Sequence, residues 1–273
     1  MRALAAAIII FSVIGISLFG ALTIKSLTFF GYWNISGSKA LSPSGINAIN
    51  IDDPGGLVYI KAYNGSQIII RYTSTSDLLT PLTPKINTNN GTLLITIGQV
   101  YLNMGYSVDL NLSVPEALSP DVTVKLGAGN VIVQLPSSEI LTVEDGAGNV
   151  QLNITRSVQI KVEDAAGNVE LWTSNVKYIY TAVITGDITA LINGRLSGDY
   201  QFYSTTGNIN VMIPADSSVS FTVSSTAGST VIEGIPYNSI SNSLSGRISG
   251  TAGNGTATLI ESVTTGSAYL KGI

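Results

Sequence analysis

Two pairs of adjacent carboxylates are the residues whose types and spacing could support chemistry in this chain. Glu144-Asp145 and Glu163-Asp164 occupy the same position in successive sequence repeats, so folding is expected to bring four carboxylates close together. Such a cluster could supply the acid and base of glycoside cleavage, or it could bind a hard cation such as calcium. We favour a third interpretation, a solvated edge on which Lys125 and Lys161 balance the negative charge.

The residue types that the chain lacks exclude much familiar enzyme chemistry. There is no cysteine and no histidine, which removes disulfides, thiol nucleophiles, Ser-His-Asp triads and metal sites built on imidazole. We therefore predict a protein that is not an enzyme, with no catalytic residue, metal ion or cofactor. Charged residues make up 11% and the net charge is -4, which argues against a disordered chain and against a nucleic-acid partner.

Aromatic residues recur in neighbouring repeats, where an exposed row could stack on sugar rings. Tyr200, Phe202 and Phe221 fall in the inward register of their strands and are expected to fill the core. The outward register holds the better candidates for facing a ligand, which are Trp172, Tyr178, Tyr180 and Tyr203.

The N-terminal segment, residues 1–30, is predicted to be a membrane or signal helix. Residues 3–24 carry no charge and are long enough to span a bilayer, and Arg2 places residue 1 in the cytoplasm. A cleaved secretory signal with its apolar core at residues 3–14 and a pilin-type leader are the alternatives. In each case the remainder is exported, so we expect an extracytoplasmic domain at the cell membrane, or a secreted or cell-surface protein if cleavage occurs.

Six Asn-x-Ser/Thr sequons are consistent with export. Glycosylation at a sequon requires an exposed position on the exported side of a membrane. A chain rich in Asn, Ser and Thr also produces sequons by chance. The candidates for glycosylation are Asn34, Asn64, Asn90, Asn111, Asn153 and Asn254.

The rest of the chain is predicted to be a polar tether, residues 31–46, followed by an all-β body, residues 47–273. Short alternating or β-branched runs separated by Asn, Gly, Asp and Pro are typical of strands and turns. Residues 94–273 are the most regular part, because a glycine recurs there at intervals of 19 to 21 residues. Further glycines follow at Gly228, Gly253 and, off the period, Gly266.

Each recurring glycine is predicted to form a corner between two strands. Apolar residues lie two and four positions after it, with a mostly polar residue between them, as a strand with one buried face requires. Stacked coils of roughly 19–21 residues give a single-stranded, β-helix-like solenoid. The Asn or Asp after each glycine either forms a coil-to-coil ladder or only a turn. The corner pairs are Gly129-Asn130, Gly148-Asn149, Gly167-Asn168, Gly186-Asp187 and Gly207-Asn208.

Several segments of the chain are similar to those of a known family. They are the glycine corners, the lead-in at residues 106–115, the proline-ended strand at residues 210–214 and the closing segments 255–260 and 264–267. From Asn47 onward the chain resembles the putative-adhesin β-strand-repeat family of bacteria and archaea. The resemblance implies an extracytoplasmic β-helix-like stack, commonly preceded by a membrane segment, and it implies no catalytic residues.

The sequence therefore predicts a non-enzymatic cell-surface module that acts in adhesion or in envelope and protein association. Its expected partners are the membrane, through residues 3–24, and surface glycans, envelope proteins or other copies of itself. A carbohydrate-active enzyme on a β-helix scaffold and a pilin-like filament subunit are the alternatives.

Overall fold

A computed structural model describes residues 33–76, 82–98, 106–243 and 246–273. The predicted membrane or signal helix, residues 1–30, lies outside these ranges. Within them, no helix is long and apolar enough to cross a membrane.

All twenty regular elements of the described ranges are β-strands. They are β1 Trp33–Leu41, β2 Ala48–Asp53, β3 Gly56–Tyr63, β4 Ile68–Ser76, β5 Lys85–Asn89, β6 Thr92–Thr96, β7 Tyr106–Pro115, β8 Asp121–Leu126, β9 Gly129–Asp145, β10 Gly148–Ala166, β11 Val169–Thr185, β12 Ile188–Ile192, β13 Asp199–Thr206, β14 Ile209–Ile213, β15 Val219–Ala227, β16 Thr230–Glu233, β17 Tyr237–Ser243, β18 Arg247–Ala252, β19 Ala257–Thr265 and β20 Ala268–Gly272.

The strands stack into two faces that meet along a column of glycine corners. The leading face holds the strands before each corner, in the order β5-β6-β2-β8-β9-β10-β11-β13-β19-β15-β18-β17. The trailing face holds the strands after it, in the order β1-β4-β7-β3-β9-β10-β11-β12-β14-β20-β16. The long strands β9, β10 and β11 each contribute to both faces. Pairing is parallel through the centre and antiparallel near the ends, so the all-β solenoid prediction describes the central coils correctly.

The core forms because equivalent residues of successive coils lie in register. Val131, Val150 and Val169 pair directly, and each is fully buried. The residue beside them in each strand points outward, as the period of two in a strand requires. A single coil cannot bury its own apolar side, so neighbouring coils stabilise one another.

Close backbone approach explains why glycine occupies the corners. Gly186 has a φ of 143°, and a Cβ added there would collide with the carbonyl oxygen of Gly167 in the preceding coil. Glycine avoids both the strain of positive φ and this collision. Gly56 occupies the same column and pairs with Gly129.

The last coils do not stack in the order of the chain. The coil of β19 and β20 lies between the coil of β13 and β14 and the coil of β15 and β16. Gly266, which seemed off the period, is therefore a corner of the column. Gly253 is not, because it follows β18, which pairs antiparallel with β15. The coil of β2 and β3 is likewise inserted, between the coil of β6 and β7 and the coil of β8 and β9.

The prediction of a polar tether at residues 31–46 is wrong for residues 33–41. Residues 33–41 form β1, which pairs antiparallel with β4 along its whole length. The composition is polar, but an edge strand needs a partner for its backbone groups more than it needs apolar side chains. By covering β4, β1 becomes the edge of the trailing face.

The residue after each corner glycine forms a hydrogen-bonded ladder, which was one of the two interpretations left open by the sequence. The Asn168 backbone N–H donates to the Asn149 side-chain oxygen at 3.2 Å, and Asn149 donates in the same way to Asn130 at 3.1 Å. The ladder continues through Asp187, Asn208 and the inserted Ser267. These side chains therefore hold coil to coil as well as forming turns.

Candidate functional site

An open groove runs along the leading face beside the corners. Its volume is about 870 Å³, and residues from seven successive coils line it. We call it the corner groove, and its lining includes Asp52, Asp53, Lys125, Glu144, Asp145, Glu163, Asp164, Ala182, Val183, Ile184, Tyr203, Ser204, Thr205, Ser262 and Thr264. The four predicted carboxylates and one of the predicted aromatic residues, Tyr203, belong to this lining.

The two glutamates of the predicted cluster lie on the outward side of their strands. Lys125 Nζ is 2.8 Å from Glu144 Oε2, and Lys161 Nζ is 2.9 Å from Glu163 Oε2. The hydrogen bond to its glutamate, with the charge of that glutamate, raises the pKa of each lysine. Glu144 and Glu163 pair in register, so two ion pairs lie side by side. The solvated-edge interpretation describes these glutamates correctly.

The two aspartates of the cluster are buried, contrary to that interpretation. Asp145 and Asp164 are 5% and 3% exposed, because they follow the glutamates by one residue and point to the opposite side of the strand. One oxygen of each accepts a backbone N–H two residues later, from Ala147 at 3.3 Å and Ala166 at 3.0 Å. The second oxygen, Oδ2, has no hydrogen-bond partner.

Burial changes the acidity of these aspartates. Loss of hydration, with a further contribution from the charge of Asp164, raises the pKa of Asp145 to about 6. Burial also raises the pKa of Asp164. Asp53, whose Oδ1 accepts the Gly55 N–H at 2.9 Å, belongs to the same inward column, and burial raises its pKa to about 7. The aspartates thus cap the corner turns in buried surroundings that disfavour their charged form.

The four carboxylates therefore do not form a shared site. Two face outward in ion pairs and two face inward in turns. In the ranges that the structure describes, no three acidic side chains are placed to hold a metal ion together. Val143 and Val162 are buried two residues earlier in the same strands, so strand alternation could have located Asp145 and Asp164 correctly.

The predicted aromatic candidates are divided between the two faces. Tyr178, Tyr180 and Tyr203 lie on the leading face, whereas Trp172 lies in the part of β11 that belongs to the trailing face. The rings of Tyr180 and Tyr203 are tilted at 45° with centroids 5.7 Å apart. Lys177 Nζ lies 5.1 Å from the centre of the exposed Tyr178 ring. Three of the four residues therefore share one outer surface, and Tyr203 also lines the corner groove.

The chain matches a known protein family. The model of the Toastrack DUF4097 family matches residues 46–266. The chain belongs to this family. The match covers the whole stack from the start of β2 to the last corner glycine, and it agrees with the resemblance drawn from the corner motifs.

Solved structures similar to this Toastrack chain have low sequence identity. A putative cell adhesion protein from Clostridium sporogenes is 12% identical, with a TM-score of 0.39, over 88% of this chain and 100% of that one. A putative adhesin from Bacteroides fragilis is 11% identical, with a TM-score of 0.38, over 89% of this chain and 99% of that one. No curated protein matches the sequence.

The sequons of the Toastrack chain differ in exposure. The Asn111 side chain is half-buried in β7, and its Oδ1 is buried without a hydrogen-bond partner. The other five are exposed and remain suitable positions for a glycan, namely Asn34, Asn64, Asn90, Asn153 and Asn254.

Besides Asp53, sequence reasoning missed a second buried carboxyl of this Toastrack stack. Glu261 lies in β19, is fully buried, and neither of its carboxyl oxygens has a hydrogen-bond partner. Its signal was present in the alternation of residues 257–265, which places it in line with Leu259 and Val263. Loss of hydration raises its pKa well above the usual value of 4.5.

Proposed function

We propose that the chain is a non-enzymatic cell-surface module, anchored in the membrane by residues 3–24, that acts in adhesion or in association with envelope proteins. The observation that carries the proposal is the separation of the four carboxylates. Glu144 and Glu163 are held in ion pairs, and Asp145 and Asp164 cap turns inside the corner. The acidic residues are thus used for architecture, which leaves the outer faces as surfaces for contact.

The position of β1 supports the proposal that the stack lies close to the membrane. Only eight residues, 25–32, separate the apolar segment from Trp33, and an extended chain of that length reaches at most roughly 29 Å. A surface module so close to the bilayer is suited to contacts with neighbouring envelope components.

Cell fractionation tests the anchor. The full-length chain should be found with the membrane and be degraded by protease added outside intact cells. Ile14→Arg should weaken membrane association, because a cation at the centre of a spanning helix costs about 3 kcal/mol, and Ile14→Leu is the matched control. Equal membrane association of the two variants, or a stack protected from external protease, would contradict the anchored orientation.

A deletion strain tests the role in adhesion. Attachment to other cells or to envelope preparations should fall and should be restored by the parent chain. A glycan-hydrolysing activity of the parent that Glu163→Gln abolishes would instead support an enzyme.

The exposed sequons provide a separate test of export. Asn64→Gln should reduce the mass of the native protein by one glycan, whereas Asn111→Gln, at a half-buried position, should leave the glycan mass unchanged. An unmodified Asn64 in the native protein would remove glycosylation from the proposal.

A further inference from the structure

The shape of the corner groove indicates an elongated ligand. Equivalent positions of seven successive coils line it, so its long axis runs across the strands and along the stack. With about 4.8 Å between neighbouring coils, six steps give a length of roughly 29 Å. A compact molecule would occupy only part of this length, whereas a linear chain can use all of it.

The chemistry of the groove changes along its length. One half has charged groups from Asp52, Lys125, Glu144 and Glu163. The other half combines the Tyr203 ring with the hydroxyls of Thr205, Ser262 and Thr264. Aromatic rings offer an apolar face for stacking. Hydroxyls donate and accept the hydrogen bonds that a polyhydroxylated chain needs, and carboxylates accept them.

The charges of the groove favour a ligand without negative charge. Lys125 is already paired with Glu144, and Lys161, beside the groove, is paired with Glu163. Asp52 adds a further exposed carboxylate. A polyanion entering this half therefore meets carboxylates and lysines that already have partners.

We propose that the corner groove binds a linear, uncharged glycan chain, with its sugar rings placed against Tyr203 and Tyr180 and its hydroxyls bonded to the groove hydroxyls and carboxylates. This inference deepens the proposed function, on which it rests, by naming the surface and the chemical class of the partner. The ring of Tyr180, 5.7 Å from that of Tyr203, extends the stacking surface beyond the groove itself.

Calorimetric titration of the full-length chain tests the proposal. The probes are linear neutral oligosaccharides of two to six units, built from β-1,4-linked glucose, mannose or N-acetylglucosamine, with hexagalacturonate as the anionic comparison. At least one neutral series should bind, and its affinity should rise with length. Absence of millimolar binding for every neutral series, or equal or tighter binding of hexagalacturonate, would overturn it.

Substitutions locate the site. Tyr203→Ala should weaken binding about three- to tenfold, the range expected for one aromatic contact. Tyr269→Ala, an exposed tyrosine on the trailing face, is the matched control and should have no effect. Because Tyr203 is half-buried, a second variant tests the groove from an exposed position. Thr205→Trp should block the groove and abolish binding. Equal effects of Tyr203→Ala and Tyr269→Ala, or full affinity with Thr205→Trp, would refute the assignment.

The adhesion assay separates this proposal from the broader one. If Tyr203→Ala and Thr205→Trp are displayed normally and still support attachment, the groove assignment fails while the surface module stands. If the deletion strain itself attaches normally, the proposed function fails whatever the groove binds.

Discussion

Glu261 allows a sharp test of how the stack holds its inserted C-terminal coil. Its carboxyl lies in the core between Phe202 of β13 and Val223 of β15, with neither oxygen hydrogen-bonded. Among the described residues of β13, β15 and β19 that face inward near Glu261, the other titratable side chain is Tyr200. The Tyr200 hydroxyl donates to the Val176 carbonyl oxygen at 2.7 Å. No cation faces the carboxyl there.

The direction of the pH effect follows from the raised pKa of Glu261. A carboxyl with a higher pKa in the folded state binds its proton more tightly there than in the unfolded chain. Its contribution to stability is therefore fully present below the unfolded pKa, near 4.5, and is lost as the pH rises through the folded pKa. Within that window, the free energy of unfolding falls by about 1.4 kcal/mol per pH unit for one such group.

Two substitutions separate the charge from the missing hydrogen bonds. A buried polar group without a partner costs about 1–3 kcal/mol, so Glu261→Leu should raise the free energy of unfolding by about that amount at pH 4. The gain should increase toward pH 8, because the parent must also hold or neutralise a charge. Glu261→Gln keeps an unsatisfied polar group but cannot ionise, so it should resemble the parent at pH 4 and exceed it at pH 8.

Denaturant unfolding at intervals between pH 4 and pH 8 measures all three proteins. Asp53, Asp145 and Asp164 titrate in the same direction, so the useful quantity is the difference between parent and variant at each pH. A difference for Glu261→Gln that stays constant across the range would show that the pKa of Glu261 is the same in the folded stack and in the unfolded chain, and would refute the raised pKa. A parent more stable than Glu261→Leu at pH 8 would refute the burial argument.

Other predictions concern the stack itself. Removing residues 257–273 should prevent native folding, because the coils on either side of the insert lose their shared neighbour; a soluble product with native near-UV circular dichroism would contradict the observed order. Val150→Asp should lower the melting temperature strongly, since an unpaired core charge costs several kcal/mol, whereas Gln151→Asp should change stability by about 0.5 kcal/mol or less; equal melting temperatures would mean the register is wrong. Asn149→Ala should lower the free energy of unfolding by about 1 kcal/mol in chemical denaturation, because it removes one ladder acceptor. Asn153→Ala, an exposed control in the same strand, should change it little, and equal losses would count against the ladder.

The coil repeat was predictable from sequence because it follows a local rule. Coils stacked in register place equivalent residues one coil length apart, so Gly129, Gly148 and Gly167 recur every 19 residues. Strand alternation then assigns an inside and an outside to every residue between corners. The same alternation, continued to Asp145, indicates a buried carboxylate, which was missed because charge was given more weight than register.

The order of the terminal coils was not predictable from that rule. Thr206 and Thr265 pair directly although they are 59 positions apart in the sequence. A local pattern does not determine whether the last coil inserts between earlier coils or adds to the end of the stack. Strand β1 was missed for a related reason. It lies at the edge of a face and has a polar sequence, so its residues do not show the apolar pattern of a buried strand. Its formation depends on unpaired backbone groups along one side of β4.

By itself, the sequence determined the repeating coil, its glycine corners and its apolar columns, since all three depend on spacing within one or two repeats. The tertiary structure decided which coils are neighbours at the two ends, which carboxylates are buried and which aromatic residues share a face. These features depend on contacts between distant parts of the chain, and those contacts bury a carboxylate and so disfavour its charged form.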